Sequence, residues 1–543
     1  MSTNISKQKR DDLLRKIQEI RTYISTAEQD ENTAQLLSYL ADLAKDVNGK
    51  KYGLVFEEHR EEIDEVLDTH TPVLTENADL FIDNGGQMNF LIEGDNLASL
   101  KLLEKTHKGK IDLIYIDPPY NLGSDFVYND SFVGKEDGFR HSKWLSFMEQ
   151  RLHIARNLLS ERGAIFISIN DVEYAGLKLL CDEIFSEELF QANFIWQCRQ
   201  RADSRNTNMI STDHEYILAF AKSNDFSLRG QAKDLTKYKN PDNDPRGPWA
   251  SIDLSGLADA TRRPNLHFDI VDPATGNVYP PNPNRGWSKS RETIAKMIAE
   301  NRILWPASPG GRPREKKFVK DLLSETTGFS SILNSADAGF TTDGTRAVTQ
   351  ILGTRAFSFP KSVKLLHLLI GQYPTDDCTV LDFFAGSGTT GHAVMLLNDE
   401  DGGNRHFILC TNNENNICRE VTYERIRRVI EKEGYEASLK YYKVDYISID
   451  ERMYYEYADE LLLHIRELVE LENGINFTGN DEIAIVLTDE ELAVFTENIS
   501  ANCRKLYMGH DILPDEEQQA IIAEHGIEIS IIPDYYYRDL QEG

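Results

Sequence analysis

The chain has 543 residues, 40% hydrophobic and 27% charged, with 59 Lys+Arg against 89 Asp+Glu and a formal net charge of −30. That length accommodates three or more domains with ample core, and no apolar run approaches the ~18 residues a membrane helix requires. The six cysteines (Cys181, Cys198, Cys378, Cys410, Cys418 and Cys503) form no C-x-x-C pair. Such scatter points to free thiols in a reducing cytoplasm and away from a structural zinc site or other metal cluster.

The opening stretch MSTNISKQKRDDLL lacks the apolar core of a signal peptide. Residues 1–78 are predicted helical: Leu13, Leu14, Ile17, Ile20 and Ile24 recur at helical spacing, and Leu36, Leu37, Leu40, Leu43 and Ala44 repeat the pattern. Neither segment carries chemistry, so a packing or dimerising cap is expected. Asn89 to Leu97 then reads as a strand, a turn at Gly94 and a helix through Leu103, with Asp95 well placed as its N-cap.

Ile111 to Ile116 is a run of β-formers expected to lie buried on both faces of a sheet. Pro118 and Pro119 end it, because proline cannot donate to a ladder. Asp117 and Tyr120 therefore stand just past the carboxyl end of a strand, where open α/β sheets bind ligands. The group suits alkylation of a weak exocyclic amine. The Asp117 carboxylate can accept one amino hydrogen and a backbone carbonyl held by the rigid Pro118-Pro119 pair the other, which localises the nitrogen lone pair. Tyr120 can stack on a base swung out of a duplex. A plain proline turn capped by Asp117 is the simpler alternative.

Downstream, Trp144, Phe147, Met148, Leu152, Ala155 and Leu158 trace a helical face. Ala164–Ile169, Phe194–Trp196 and Glu215–Phe220 read as further strands of a mostly parallel sheet. Residues 224–350 are dense in Pro, Gly, Asn and Asp, too long for a loop, and read as an inserted domain. Residues 191–360 carry 23 Lys+Arg against 18 Asp+Glu on an otherwise acidic chain. Arg262, Arg263, Arg312, Arg314, Lys316 and Lys317, interleaved with Trp249, Trp287 and Trp305, are the candidate DNA contacts.

From about residue 351, Phe359-Pro360-Lys361-Ser362 precedes a helix with Val363, Leu366 and Leu369 on one side. Thr379–Phe384, including Asp382, is a strand, followed by Ala385-Gly386-Ser387-Gly388-Thr389-Thr390-Gly391 and a helix to Leu397. The glycines allow close backbone approach to a ligand, and the helix N-terminus favours a carboxylate. Read literally this is also G-x-G-x-x-G, the fingerprint of a nicotinamide oxidoreductase. The strand Phe407–Thr411 leads to Asn412, Asn413 and Glu414, where an acid can bind ribose hydroxyls or cap the helix Cys418–Ile430. Residues 440–543 hold 7 Lys+Arg against 24 Asp+Glu and read as a small α/β unit that avoids DNA. No G-x-x-x-x-G-K-[ST] occurs, so cleavage or translocation is expected of a separate subunit.

Asp117-Pro118-Pro119-Tyr120 with the later GSGTTG loop resembles the β class of amino-methylating DNA methyltransferases. The flanking text NLGSDFVYNDSF and HSKWLSFMEQRL resembles the modification subunits of Type III restriction systems. The resemblance implies a Rossmann-like α/β sheet using S-adenosyl-L-methionine, with an inserted target-recognition domain and helical N-terminal and small α/β C-terminal additions. It covers residues 80–445 at most, and together with the residue patterns at the two ends outside it divides the chain into 1–78, 79–223, 224–350, 351–445 and 446–543. It implies methylation of adenine N6 in double-stranded DNA by a cytoplasmic homodimer, alongside a separate restriction or helicase subunit. Asp117, Pro118, Pro119 and Tyr120 would be catalytic; Asp95, Lys361, Asp382, Phe384, Gly386, Gly388, Thr389 and Glu414 would bind cofactor. Cytosine-N4 methylation, nicotinamide chemistry and a catalytically silent DNA-binding role are the alternatives.

Overall fold

Short apolar runs, each ended by a proline, glycine or acid, become the strands of one ten-stranded sheet. A computed structural model of the chain describes residues 5–26, 31–47, 56–122, 138–202, 209–308, 310–449, 461–509 and 511–532. The strands run in the order His70–Glu76, Ala437–Ser448, Gln87–Glu93, His406–Thr411, Thr379–Asp382, Ile111–Ile116, Leu159–Ile169, His214–Ala221, Phe190–Gln197 and Ile332–Leu333. The six from Ala437–Ser448 to Leu159–Ile169 are mutually parallel. His214–Ala221 runs antiparallel to both its neighbours, so its first residues lie at the edge where the parallel strands end.

Both faces of this sheet are covered. Ile92, Ile114, Ile116, Leu381 and Ile408 face a core shared with the helices Asn96–His107 and Arg140–Leu158. Their alternates Leu91, Leu113, Tyr115, Val380 and Leu409 are buried as well, as expected for parallel strands with helices on each side. Thr379–Asp382 and Ile111–Ile116 are adjacent, pairing Val380 with Leu113 and Leu381 with Ile114. They come from opposite halves of the chain, so their junction is a topological switch point with a crevice outside the strand ends.

Three strands of this sheet, His70–Glu76, Ala437–Ser448 and Ile332–Leu333, lay hidden from sequence reading. His70–Glu76 falls inside the stretch expected to be helical and pairs antiparallel with Ala437–Ser448. The helices Ile5–Thr26 and Glu31–Val47 form as expected. The inserted unit spans Leu228–Ser330, less than the expected 224–350. It has its own core of Leu254, Phe268, Ile270, Trp287, Ile294, Met297 and Ile303. It also has a three-stranded antiparallel sheet and the helix Arg291–Ala299. Past it the chain returns to the main unit with Ile332–Leu333 and the helix Thr341–Leu352. That helix is poor in apolar residues and contains Gly344, where an added Cβ would come within 2.1 Å of the Pro360 carbonyl oxygen. Close packing against a neighbouring backbone selects glycine there at the expense of helical signal.

The C-terminal strands Ile483–Val486, Lys505–Met508 and Glu528–Ile531 form a parallel sheet with the helices Asp489–Glu497 and Glu516–Glu524, within the same compact unit as the large sheet. Of the expected helix Met453–Leu471, residues 453–460 lie outside the described residues; Ile465–Asn473 is helical. A buried charge cluster ties that helix to the sheet. Lys440 Nζ donates to Glu470 Oε2 at 2.6 Å and lies 3.1 Å from Glu76 Oε1. Tyr442 Oη and the Phe477 amide donate to the same Glu470 carboxylate. Glu470→Ala leaves the Lys440 ammonium short of a partner in a dry site, and is expected to lower stability by about 3 kcal/mol, measured by urea denaturation.

Candidate active site

The Ile111–Ile116 strand delivers Asp117 to the carboxyl edge, and the following Pro-Pro turn is held from two sides. The Trp144 indole N–H donates to the Pro119 carbonyl at 2.7 Å. Asn121 adopts a left-handed backbone (φ 55°) and donates through Nδ2 to the buried Glu173 carboxylate and, at 3.2 Å, to the Arg140 carbonyl. Burial pushes Glu173 up, opposed by the bonds from Asn121 and His141. Among the described residues no donor takes the Pro118 carbonyl. The remainder of the NLGSDFVYNDSF stretch, from residue 123 on, lies outside the described residues.

Lys361 meets this turn. Its ammonium donates to Asp117 Oδ1 and Oδ2, both at 2.7 Å, and to Tyr120 Oη at 2.8 Å. It also lies 3.3 Å from Glu215 Oε2, and Tyr120 Oη donates to that oxygen at 3.0 Å. Sequence reading placed Lys361 with the cofactor; the structure places it on the acid of the DPPY turn. Burial pulls the Lys361 pKa down, yet Asp117 and Glu215 together hold it above the ordinary lysine value. Burial and the nearby Asp117 push the Tyr120 hydroxyl far up, so it remains protonated. The backbone around Lys361 is constrained: Phe359, two residues before it, has φ 54°, and Gly344 lies against the Pro360 and Lys361 carbonyls.

Glu215 was missed from sequence. Its only signal was an acid opening the apolar run Tyr216–Ala221, which also describes an ordinary strand start. Its antiparallel strand begins at the edge where the Asp117 strand ends, and that alone brings the two carboxylates together.

Beside them lies the glycine turn. Gly386 (φ 49°) and Gly388 (φ 73°) take left-handed conformations. Added Cβ atoms would lie 3.0 Å from the Phe357 ring and 3.3 Å from the Thr422 methyl, so larger residues are strained in both conformation and space. Thr422 Oγ1 donates to the Gly386 carbonyl. Arg425, fully buried, donates to the Ser387 carbonyl and to the Ser387 and Thr389 hydroxyls; burial pushes its pKa down to about 9. Thr389 opens the helix Thr389–Asp401, and buried Phe384 packs with its ring tilted against those of Phe147 and Phe383.

The remaining predicted residues divide. Asp95 caps its helix through Oδ1, accepting from the Leu97 and Ala98 amides at 2.7 and 3.2 Å; its carboxylate is partly exposed. Glu414 sits half-buried past the His406–Thr411 strand. Asp382 differs from expectation. It is buried, with Oδ1 accepting from the Phe384 amide and Oδ2 from the Thr390 hydroxyl, so it clamps the glycine turn from beneath.

In the insertion, Lys316 also differs. Its ammonium is buried between Asp242 and Asp244 and over the Trp249 ring, and it holds that unit together. Arg314 is exposed but donates to the Ser251 hydroxyl and carbonyl. Arg262, Arg263 and Arg312 are exposed, and Lys317 is half-buried.

This site and sheet define an α/β methyltransferase fold. The chain matches the DNA methylase family model over residues 111–460, more than half its length, and belongs to that family. It is 35% identical over 390 residues to the StyLTI Mod subunit, a Type III restriction-modification enzyme of Salmonella typhimurium, covering 64% of this chain and 58% of that one. It is 34% identical over 355 residues to the Type II methyltransferase M.KpnI of Klebsiella pneumoniae, covering 61% and 82%. With the EcoPI Mod subunit of Escherichia phage P1 it shares 30% identity over 421 residues, covering 64% and 63%. The chain thus spans about three fifths of the length of these Type III relatives.

Burial pushes Asp382 from 3.8 up to about 7. Between those values the folded chain retains a proton that the unfolded carboxyl has released, so stability falls as pH rises through this window. Asp382→Asn is expected to flatten that decline, read as the urea midpoint across the same range.

Proposed function

We propose that the chain transfers a methyl group from S-adenosyl-L-methionine to adenine N6 in double-stranded DNA, as the modification subunit of a restriction-modification system. The observation that carries this reading is the Asp117 carboxylate at the switch point, beside a turn whose Gly386 and Gly388 take left-handed conformations. The donor set suits the cofactor. Gly386, Gly388 and the helix N-terminus at Thr389 would hold its methionine carboxylate, with Phe384 beside it. Asp95 and Glu414 would hold its adenosine. Bound there, the cofactor supplies an electrophilic methyl group on a sulfonium.

The chain's own groups orient the nucleophile. Asp117 accepts one hydrogen of the base amino group and the Pro118 carbonyl the other, which aims the nitrogen lone pair away from both. Pro119 is kept in place by Trp144, and Tyr120 offers its ring to the extruded base. Similarity to the Mod subunits supports adenine over cytosine and a separate restriction subunit as partner; a homodimer in a cytoplasmic setting is part of the same proposal.

Asp117→Ala is expected to lower methyl transfer by about 100-fold or more while S-adenosylhomocysteine still raises Tm. Undiminished transfer would refute the role, and digestion of the product DNA identifies the base modified. In the insertion, replacing Arg262 and Arg263 with Ala is expected to weaken DNA binding on all sequences. It should also reduce the slope of log affinity against log salt by about two; an unchanged slope would remove both residues from the DNA face.

A further inference from the structure

The cluster around Lys361 presents a problem for the reaction. Asp117 must accept a hydrogen from the target amino group, yet both its oxygens already receive the Lys361 ammonium at 2.7 Å. A carboxylate has about four lone-pair sites, so an amino N–H can still reach Asp117, but an ammonium bonded to both oxygens draws on their charge and weakens them as acceptors for it. A second carboxylate is within reach. Glu215 Oε2 lies 3.3 Å from the same nitrogen, farther than a close ion pair, and is already oriented by the Tyr120 hydroxyl.

Resting on the function proposed above, we propose that Lys361 and Glu215 form a displaceable latch. With no base in the site, Lys361 occupies the place of the target amino group on Asp117. When the base enters, the ammonium shifts toward Glu215 and frees the Asp117 oxygen that faces the base. Glu215 and Lys361 are positioning residues: they prepare the acceptor and do not touch the reacting atoms. Tyr120 links the two halves, since its hydroxyl accepts from Lys361 and donates to Glu215.

Charge makes the idea testable. Asp117, Glu215 and Lys361 together carry one net negative charge. Glu215→Gln replaces the second anion with a neutral amide, a much weaker partner for the ammonium, and leaves Lys361 and Asp117 as a neutral pair. The double variant Lys361→Met/Glu215→Gln removes the competitor too, and restores one net negative charge on Asp117.

The experiment measures methyl transfer to duplex DNA by the full chain and its variants, with Tm in S-adenosylhomocysteine as the check on folding and cofactor binding. Glu215→Gln is expected to lose kcat/KM for DNA while keeping the thermal shift. Adding Lys361→Met to it should recover activity by on the order of tenfold, the scale on which contacting residues couple. A double variant no better than Glu215→Gln alone would overturn the latch, as would a Glu215→Gln enzyme with undiminished transfer.

Lys361→Arg gives a second line, one that retains the positive charge. A guanidinium fork can bind both carboxylates at once and release neither, so folded Lys361→Arg is expected to lose turnover; full activity would overturn the proposal. If the unmodified chain transfers no methyl group to DNA, it is the proposed function that fails. The latch is judged only on ratios among variants of an active enzyme.

Discussion

A carboxylate at the end of a buried strand must be compensated, and most of this architecture follows from how Asp117 is. Its partner, Lys361, lies 244 residues downstream. The two meet because the chain crosses the sheet at its switch point, with Ile111–Ile116 and Thr379–Asp382 as neighbours. Glu215 completes the group from a strand that runs the other way. One ammonium shared by two acids keeps the cluster charged without sealing it, as a one-to-one buried pair would be sealed. A site built to exchange hydrogen-bond partners benefits from that imbalance.

Legibility in the sequence followed the strength of local rules. The strand before Asp117, the glycine turn at 386–391 and the helices flanking both were readable, because buried runs, prolines and glycines each leave a local mark. Contacts between distant segments were not. Glu215 opens an apolar run like many strand starts, and only the antiparallel pairing with Leu159–Ile169 gives it a role. Lys361 was readable as part of a motif, yet its contact with Asp117 was not, because a motif records company along the chain and not across the sheet. His70–Glu76 was lost inside a helical assignment, since a strand at the sheet edge carries no pattern that excludes a helix.

Asp382 and Lys316 teach a related lesson. Each is a charged residue inside a functional-looking stretch, and each is spent on holding that stretch in shape. Asp382 fixes the glycine turn through the Phe384 amide and the Thr390 hydroxyl. Lys316 draws Asp242 and Asp244 together under Trp249. In both, the charged atoms are bonded to partners within their own unit, and those partners are set by the fold.

The same distinction resolves the charge of the insertion. Leu228–Ser330 holds 17 Lys+Arg against 12 Asp+Glu, a modest excess for a nucleic-acid surface. Several of its acids are consumed internally: Asp244 by Arg246 and Lys316, Asp242 by Lys316, Asp321 and Glu300 by Arg302. Those pairs cancel near their own positions, and screening confines what remains to about 8–10 Å. The exposed Arg262, Arg263 and Arg312 then carry positive charge into water on a strongly acidic chain. Net charge taken over the whole molecule argues against DNA binding. Charge counted where water reaches it argues for binding, and only the second count governs what a phosphate meets.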